Sequence, residues 1–242
     1  MAIPGNHDGD NVPSEVSLDS FIKNFCTATP GTPPMAGQSA RQTMTQPNVY
    51  FTLEAPFLTI IGLYSNTTGD LDAPHAEETP QFQWFVGELR DAPTENFLIV
   101  AVHHPPFSAD NVHGGEMRIG EALDRAFQTT GRLPHLVLTA HVHDYQRFSR
   151  EQQVGDEVRT VPYVVAGAGG YCGFSSLHRV MSEVPFPQGV TLNKSNDKLP
   201  GFLRMTVTAE KLTGEYFVVP PPPNHDVPDH PATLFDTFTV DL

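Results

Sequence analysis

Six consecutive apolar residues, Phe97 to Val102 (FLIVAV), run without a polar interruption into His103-His104-Pro105-Pro106. An unbroken apolar run of this length is the pattern of a strand buried on both faces, as in a parallel sheet. The two prolines end it, because proline offers no N–H to a ladder. Leu136–Ala140 (LVLTA) and Tyr163–Ala166 (YVVA) repeat the pattern. Between and before these runs, two segments carry apolar residues at helical spacing. Thr79–Leu89 places Trp84, Phe85 and Leu89 inward, and Glu116–Thr129 places Ile119, Leu123 and Phe127 on one face. Strand and helix alternate from 80 to 140, which predicts an α/β layered sheet.

The flanks read differently. Val16–Cys26 has near-helical spacing, with Ser14 and Glu15 as an N-terminal signal. Thr27–Gln46 reads as a long loop, and Val49–Glu54 with Phe57–Leu63 reads as a hairpin joined at Ala55-Pro56. Phe202–Thr208, Gly214–Val219 and Leu234–Val240 alternate with period two and predict antiparallel strands. Pro220–Pro223 and the residues up to Thr233 read as a polyproline-like spacer between two of them.

The 242 residues suit one domain, 1–242, and the formal net charge is −14. That charge opposes phosphate backbones and anionic lipid, so nucleic-acid scaffold binding and membrane-surface binding are not expected. No apolar run has the length of a membrane span. Met1–Asn6 shows no basic region followed by an apolar stretch, which makes the cytoplasm the default expectation. Two cysteines, Cys26 and Cys172, make no disulfide framework.

The chemistry-bearing residues stand at strand ends. Gly5-Asn6-His7-Asp8 offers a tight turn, an amide oxygen and a histidine beside a carboxylate; by itself it also reads as an ordinary turn. His103 and His104 end a buried strand, a costly place for imidazole unless its nitrogens are used. His141-Val142-His143 follows Leu136–Ala140. On an extended strand the two imidazoles share a face, about 7 Å apart. That spacing suits two adjacent metals, or one metal if the backbone curls. Ends of parallel strands in an α/β sheet share one edge, where sites form. The candidate ligand set Asn6, His103, His141 and His143 is of N/O type and suits Zn, Fe, Mn or Ni.

Three blocks in this order, Gly5-Asn6-His7-Asp8, Val100-Ala101-Val102-His103 and Ala140-His141-Val142-His143, resemble the calcineurin-like metallophosphoesterase superfamily. His141-Val142-His143-Asp144-Tyr145-Gln146-Arg147 looks most like the branch that includes purple acid phosphatases. The resemblance implies an αββα fold, a β-sandwich flanked by helices. It implies a metal-dependent phosphoric-ester hydrolase with two metal ions, in which a metal-bound hydroxide attacks a small phosphate ester. It also implies residue roles. Asn6, His103 and His141 would hold one ion and His143 the other. His7 would contact phosphate and protonate the leaving oxygen, and His104 would touch substrate at the rim.

That family carries two earlier blocks, Asp-x-His and Gly-Asp, which have no counterpart before Gly5. The chain is therefore expected to be an N-terminally incomplete domain that lacks the opening strands, with an exposed apolar sheet edge. A two-metal site on it is expected to be weak. Two functions follow as alternatives: a phosphatase or phosphodiesterase, or a non-catalytic metal-binding remnant of the same fold. A zinc amidase fits the order of the blocks less well. Gly167–Gly170 lacks the glycine at 172 that a nucleotide loop needs and reads as a turn. Cys172 reads as inert, and His113 as a loop histidine within reach of substrate or simply solvated.

Overall fold

The computed structural model describes residues 1–8, 18–27, 45–66, 71, 79–170, 173–178, 184, 186–220 and 231–242. Most of the loop read at 27–46, Cys172 and the proline run beyond Pro220 lie outside the described residues. The elements are α1 (Asp19–Phe25), β1 (Phe51–Ala55), β2 (Leu58–Leu63), α2 (Pro80–Asp91), β3 (Phe97–Val102), α3 (Met117–Thr130), β4 (Leu136–Thr139), β5 (Tyr145–Val154), β6 (Glu157–Ala166), β7 (Val190–Asn196), β8 (Gly201–Val207), β9 (Lys211–Val218) and β10 (Thr233–Asp241).

Seven strands form a mixed sheet in the order β1-β2-β3-β4-β6-β5-β7. Its centre, β2-β3-β4-β6, is parallel. β3 is buried at every position, as its unbroken apolar run requires. β1 and β2 form the expected antiparallel hairpin, with Phe57 at φ 67° after Pro56. A positive φ at this turn position is ordinarily left to glycine. β8, β9 and β10 form a separate three-stranded antiparallel sheet.

Helices cover one face of the large sheet. α2 begins after Thr79, whose side chain accepts from Phe82 N, and Pro80 occupies its first turn. α3 ends at Gly131, left-handed at φ 69°. Phe82, Phe85, Leu89, Leu123 and Phe127 pack with Leu98, Val100 and Val102 of β3. Trp84, expected inward, is only partly buried, and Phe82 takes the deeper position. The opposite face, through Phe97, Ile99, Leu136 and Val164, packs on Leu212, Tyr216 and Val218 of β9. The result is the expected β-sandwich with helices on its outer face. Tyr145 stacks on Tyr216 with centroids 3.8 Å apart, joining the sheets. Its hydroxyl donates to Asp236 of β10, which also receives two bonds from Arg147.

Two elements were not legible. β5 pairs along its whole length with β6 in a hairpin of ten residue pairs, and β7 adds an edge strand beside β5. Their sequences are polar and lack clean alternation (YQRFSREQQV, VTLNKSN), because much of each strand's surface is only partly buried.

Candidate metal centre

Register decides what lies at the carboxyl edge of the parallel strands. Leu63 pairs with Val102, so Tyr64 and Ser65 leave β2 beside His103 and His104 leaving β3. Ala101 pairs with Leu138, which brings Ala140 and His141 to the same edge. The ladder continues one step past β4, where Ala140 N donates to His103 O (3.0 Å).

The N-terminal residues reach this edge because they are tied to the core. Ala2 N donates to Gln46 Oε1 (2.9 Å), and Gln46 is fully buried. Residues 5–8 form a closed turn. Asp8 N donates to Gly5 O (3.1 Å), and Gly5 N donates to Asp8 Oδ2 (2.9 Å). A Cβ on Gly5 would stand 2.6 Å from Cε1 of His103, so only glycine lets the turn approach that ring.

His141 and His143 do not stand on an extended strand, and the expected shared face is corrected. His141 sits at φ 62°. Val142 N donates to Ala140 O (2.7 Å), and Asp144 N donates to Val142 O (2.8 Å), so the chain curls tightly at each histidine. Two neighbours force this. Val142 is buried in the core beneath, and Gly167 passes so close that a Cβ on it would lie 1.8 Å from Val142 O. The glycine at 167 is thus a site of close backbone approach.

The curl brings His141 Nδ1 to 3.2 Å from both Asn6 Oδ1 and His103 Nε2, and Asn6 Oδ1 lies 2.9 Å from His103 Nε2. His104 joins them: its ring lies 4.4 Å from that of His141 and 4.9 Å from that of His103. One ring nitrogen from each of His103, His104 and His141 falls within 4.8 Å of the others. Ser65, which sequence reasoning missed, fixes His104: its Oγ lies 2.8 Å from His104 Nδ1 and accepts from His104 N. Its position at the end of a parallel strand was the available signal.

Burial, reinforced by the neighbouring histidines, lowers His103 to about 3 and His141 to about 4 from the ordinary 6.5. Both are neutral near neutral pH and present lone pairs. A tetrahedral ion with bonds of about 2.0–2.1 Å spaces its ligand atoms about 3.3 Å apart, an octahedral one about 3.0 Å. The separations among Asn6, His103 and His141 fall in that range, so the donor set fits a borderline divalent cation.

His7 and His143 stand around this group. His7 is exposed, and the charge of either histidine bears on both His103 and His141. His113 belongs here as well, its ring 5.0 Å from that of His141 and 5.9 Å from that of His143. No carboxylate joins the imidazole group among the described residues. Asp8 serves its own turn, and Asp144 is buried with Gln146 Nε2 on both oxygens. Burial, with Asp110 and Asp197 nearby, raises Asp144 to about 7 despite the Gln146 bond. Behind His103 an apolar cleft of about 360 Å³ opens between the sheets, flanked by Ile3, Ala140, Gly201 and Phe202. Its lining does not suit a phosphate.

No family model matches the chain. It is 24% identical over 176 residues to purple acid phosphatase 21 of Arabidopsis thaliana, covering 70% of this chain and 36% of that protein. It is 30% identical over 128 residues to the probable purple acid phosphatase 20 of the same plant, covering 51% and 28%. Its whole length superposes on 40% of a purple acid phosphatase from yellow lupin (Lupinus luteus) seeds, with TM-score 0.67 and 15% identity. The chain is thus similar to the purple acid phosphatases in sequence and in fold, in line with the resemblance to calcineurin-like metallophosphoesterases carried by its motif blocks. It spans well under half the length of the curated relatives it matches. The fold shared with the lupin protein spans both sheets. No helix among the described residues is long and apolar enough to cross a membrane.

Proposed function

We propose that the chain carries the metal-binding edge of a phosphoric-ester hydrolase acting on small phosphate esters. The observation that carries this reading is the convergence of Asn6 Oδ1, His103 Nε2 and His141 Nδ1 within 2.9–3.2 Å of one another at a parallel-sheet edge. The similarity to purple acid phosphatases supports it.

In this reading Asn6, His103 and His141 hold one ion and His143 contributes to a second, of Fe, Mn or Zn. Bound ions supply positive charge for the phosphoryl oxygens and a hydroxide nucleophile near neutral pH, which reconciles a −14 chain with an anionic substrate. The chain's own residues do the rest. Exposed His7 donates a proton to the leaving oxygen, and the Asp8 bond to Gly5 N fixes the turn that presents it. His104, braced by Ser65, lines the approach to the cluster.

A second reading, a module that binds a single ion without catalysis, is favoured by the absence of a carboxylate from the imidazole group among the described residues. Metal analysis of the purified chain and hydrolysis of an aryl phosphate separate the two. Activity lost in both Asn6→Ala and His143→Ala supports the hydrolase. Folded, metal-loaded and inactive protein refutes it for this chain.

A further inference from the structure

The loop after β3 holds a buried carboxylate that the ligand set does not use. The Asp110 side chain is 0% exposed, and that of His113 is 32% exposed. Asp110 Oδ2 accepts from Val112 N (3.1 Å), from His113 N, and from His113 Nδ1 (3.1 Å). Asp110 Oδ1 has no partner among the described residues. Three N–H groups therefore converge on one oxygen of a residue that solvent does not reach. A buried carboxylate used on one side only is costly, and a turn alone does not require it.

The loop is itself clamped to the sheet. Ala109 N donates to Gln146 Oε1 (2.7 Å), and Gln146 Nε2 reaches Ser108 Oγ and Asp144. Asp110 N donates to Ser108 Oγ (3.0 Å), and Asn111 N donates to Ser176 O (3.0 Å). Asp110 is thus a fixed point, while His113 is half-exposed against the rings of His141 and His143. A carboxylate accepts and does not donate, so the bond places the imidazole proton on Nδ1 and leaves Nε2 as the free nitrogen. The other contact of Nδ1, Ser175 Oγ at 3.5 Å, is too long to set the tautomer.

We infer that Asp110 is a positioning residue for the candidate centre: it holds the His113 ring beside His141 and His143 as the Nδ1–H tautomer, so that Nε2 meets the phosphate or ion bound there. The phosphate part of this inference rests on the proposed function; the tautomer part does not.

Long-range ¹H–¹⁵N spectra of the metal-free ¹⁵N-labelled chain at about pH 7.5 read the tautomer directly. His135 is the internal control for folding, because its Nδ1 accepts from Leu98 N (2.9 Å) and its proton must sit on Nε2. His113 is expected as Nδ1–H in the wild type. Asp110→Ala is expected to shift it toward Nε2–H with the His135 pattern intact. Asp110→Asn, whose amide oxygen accepts the same bonds, is expected to restore Nδ1–H. Inorganic phosphate should bind the zinc-loaded Asp110→Ala chain about tenfold more weakly than the zinc-loaded wild type. An Nε2–H form of His113 in the wild type overturns the inference, as does an unchanged tautomer in folded Asp110→Ala. If Asp110→Ala loses the His135 pattern, Asp110→Asn decides: Nδ1–H supports the inference and Nε2–H overturns it. If the zinc-loaded wild type binds no phosphate, the proposed function fails while the tautomer result stands.

Discussion

Metal binding by this chain should hardly depend on pH between neutrality and about pH 5. His103 titrates at about 3 and His141 at about 4, both pushed down mainly by burial. Lowering a histidine's pKa keeps its neutral, ligand form at lower pH, so zinc has no proton to displace from these two rings. At about pH 5 two histidines with the ordinary value near 6.5 would be only about 3% neutral each, and affinity would fall about 600-fold from pH 7. With values of about 3 and 4 both rings stay at least about 90% neutral, and the fall from these two is about a tenth of the affinity. Calorimetric zinc titration in two buffers of different ionisation enthalpy gives affinity and proton release together. Well under one proton per zinc is expected to leave these two rings at about pH 5. Release of two or more, or an affinity loss of a hundredfold or more, refutes the claim that burial holds His103 and His141 ready as ligands.

Other expectations follow from single contacts. His135 is buried and held at about 4 by burial and the charges of Arg159 and Arg132, so its stabilising bond is present above pH 6.5 and is lost as pH falls toward 4. The stability advantage of wild type over His135→Asn should narrow by about 3 kcal/mol across that window in urea unfolding. Gly5→Ala sets a Cβ 2.6 Å from the His103 ring and should weaken zinc binding at least about tenfold with little change in unfolding midpoint. Gly167→Ala sets one 1.8 Å from a backbone oxygen and should cost about 3 kcal/mol or more in the same urea assay. Asp236→Ala leaves Arg147 and the buried Tyr145 hydroxyl without their shared acceptor, and should cost about 3 kcal/mol, read as a lowered thermal midpoint.

Much of the fold was legible because burial on both faces leaves a signal that needs no partner. β3 read correctly because each of its six residues must be apolar, and α3 because one helical stripe is buried. β5 and β7 were not legible, since antiparallel strands that are partly exposed tolerate Gln, Arg, Glu and Lys. The site divides the same way. His103 and His141 could be named because each follows a readable strand, and Asn6 because its Gly5-Asn6-His7-Asp8 block stands in a recognisable order with theirs. Ser65, Gln46 and Asp110 could not, because their roles depend on what the sheet register and the loop clamps bring beside them.

The sequence by itself determined the layered α/β core and the histidines at its edge. Apolar runs, helical stripes and strand-ending motifs are local patterns, readable one segment at a time. Only the tertiary structure decided how those histidines face one another. His141 turns out of the strand because Val142 must be buried below it and Gly167 presses from beside it, contacts made by residues far along the chain. That turn sets Asn6, His103 and His141 at ligand spacing, and distances between distant segments are fixed by packing, which no single segment encodes.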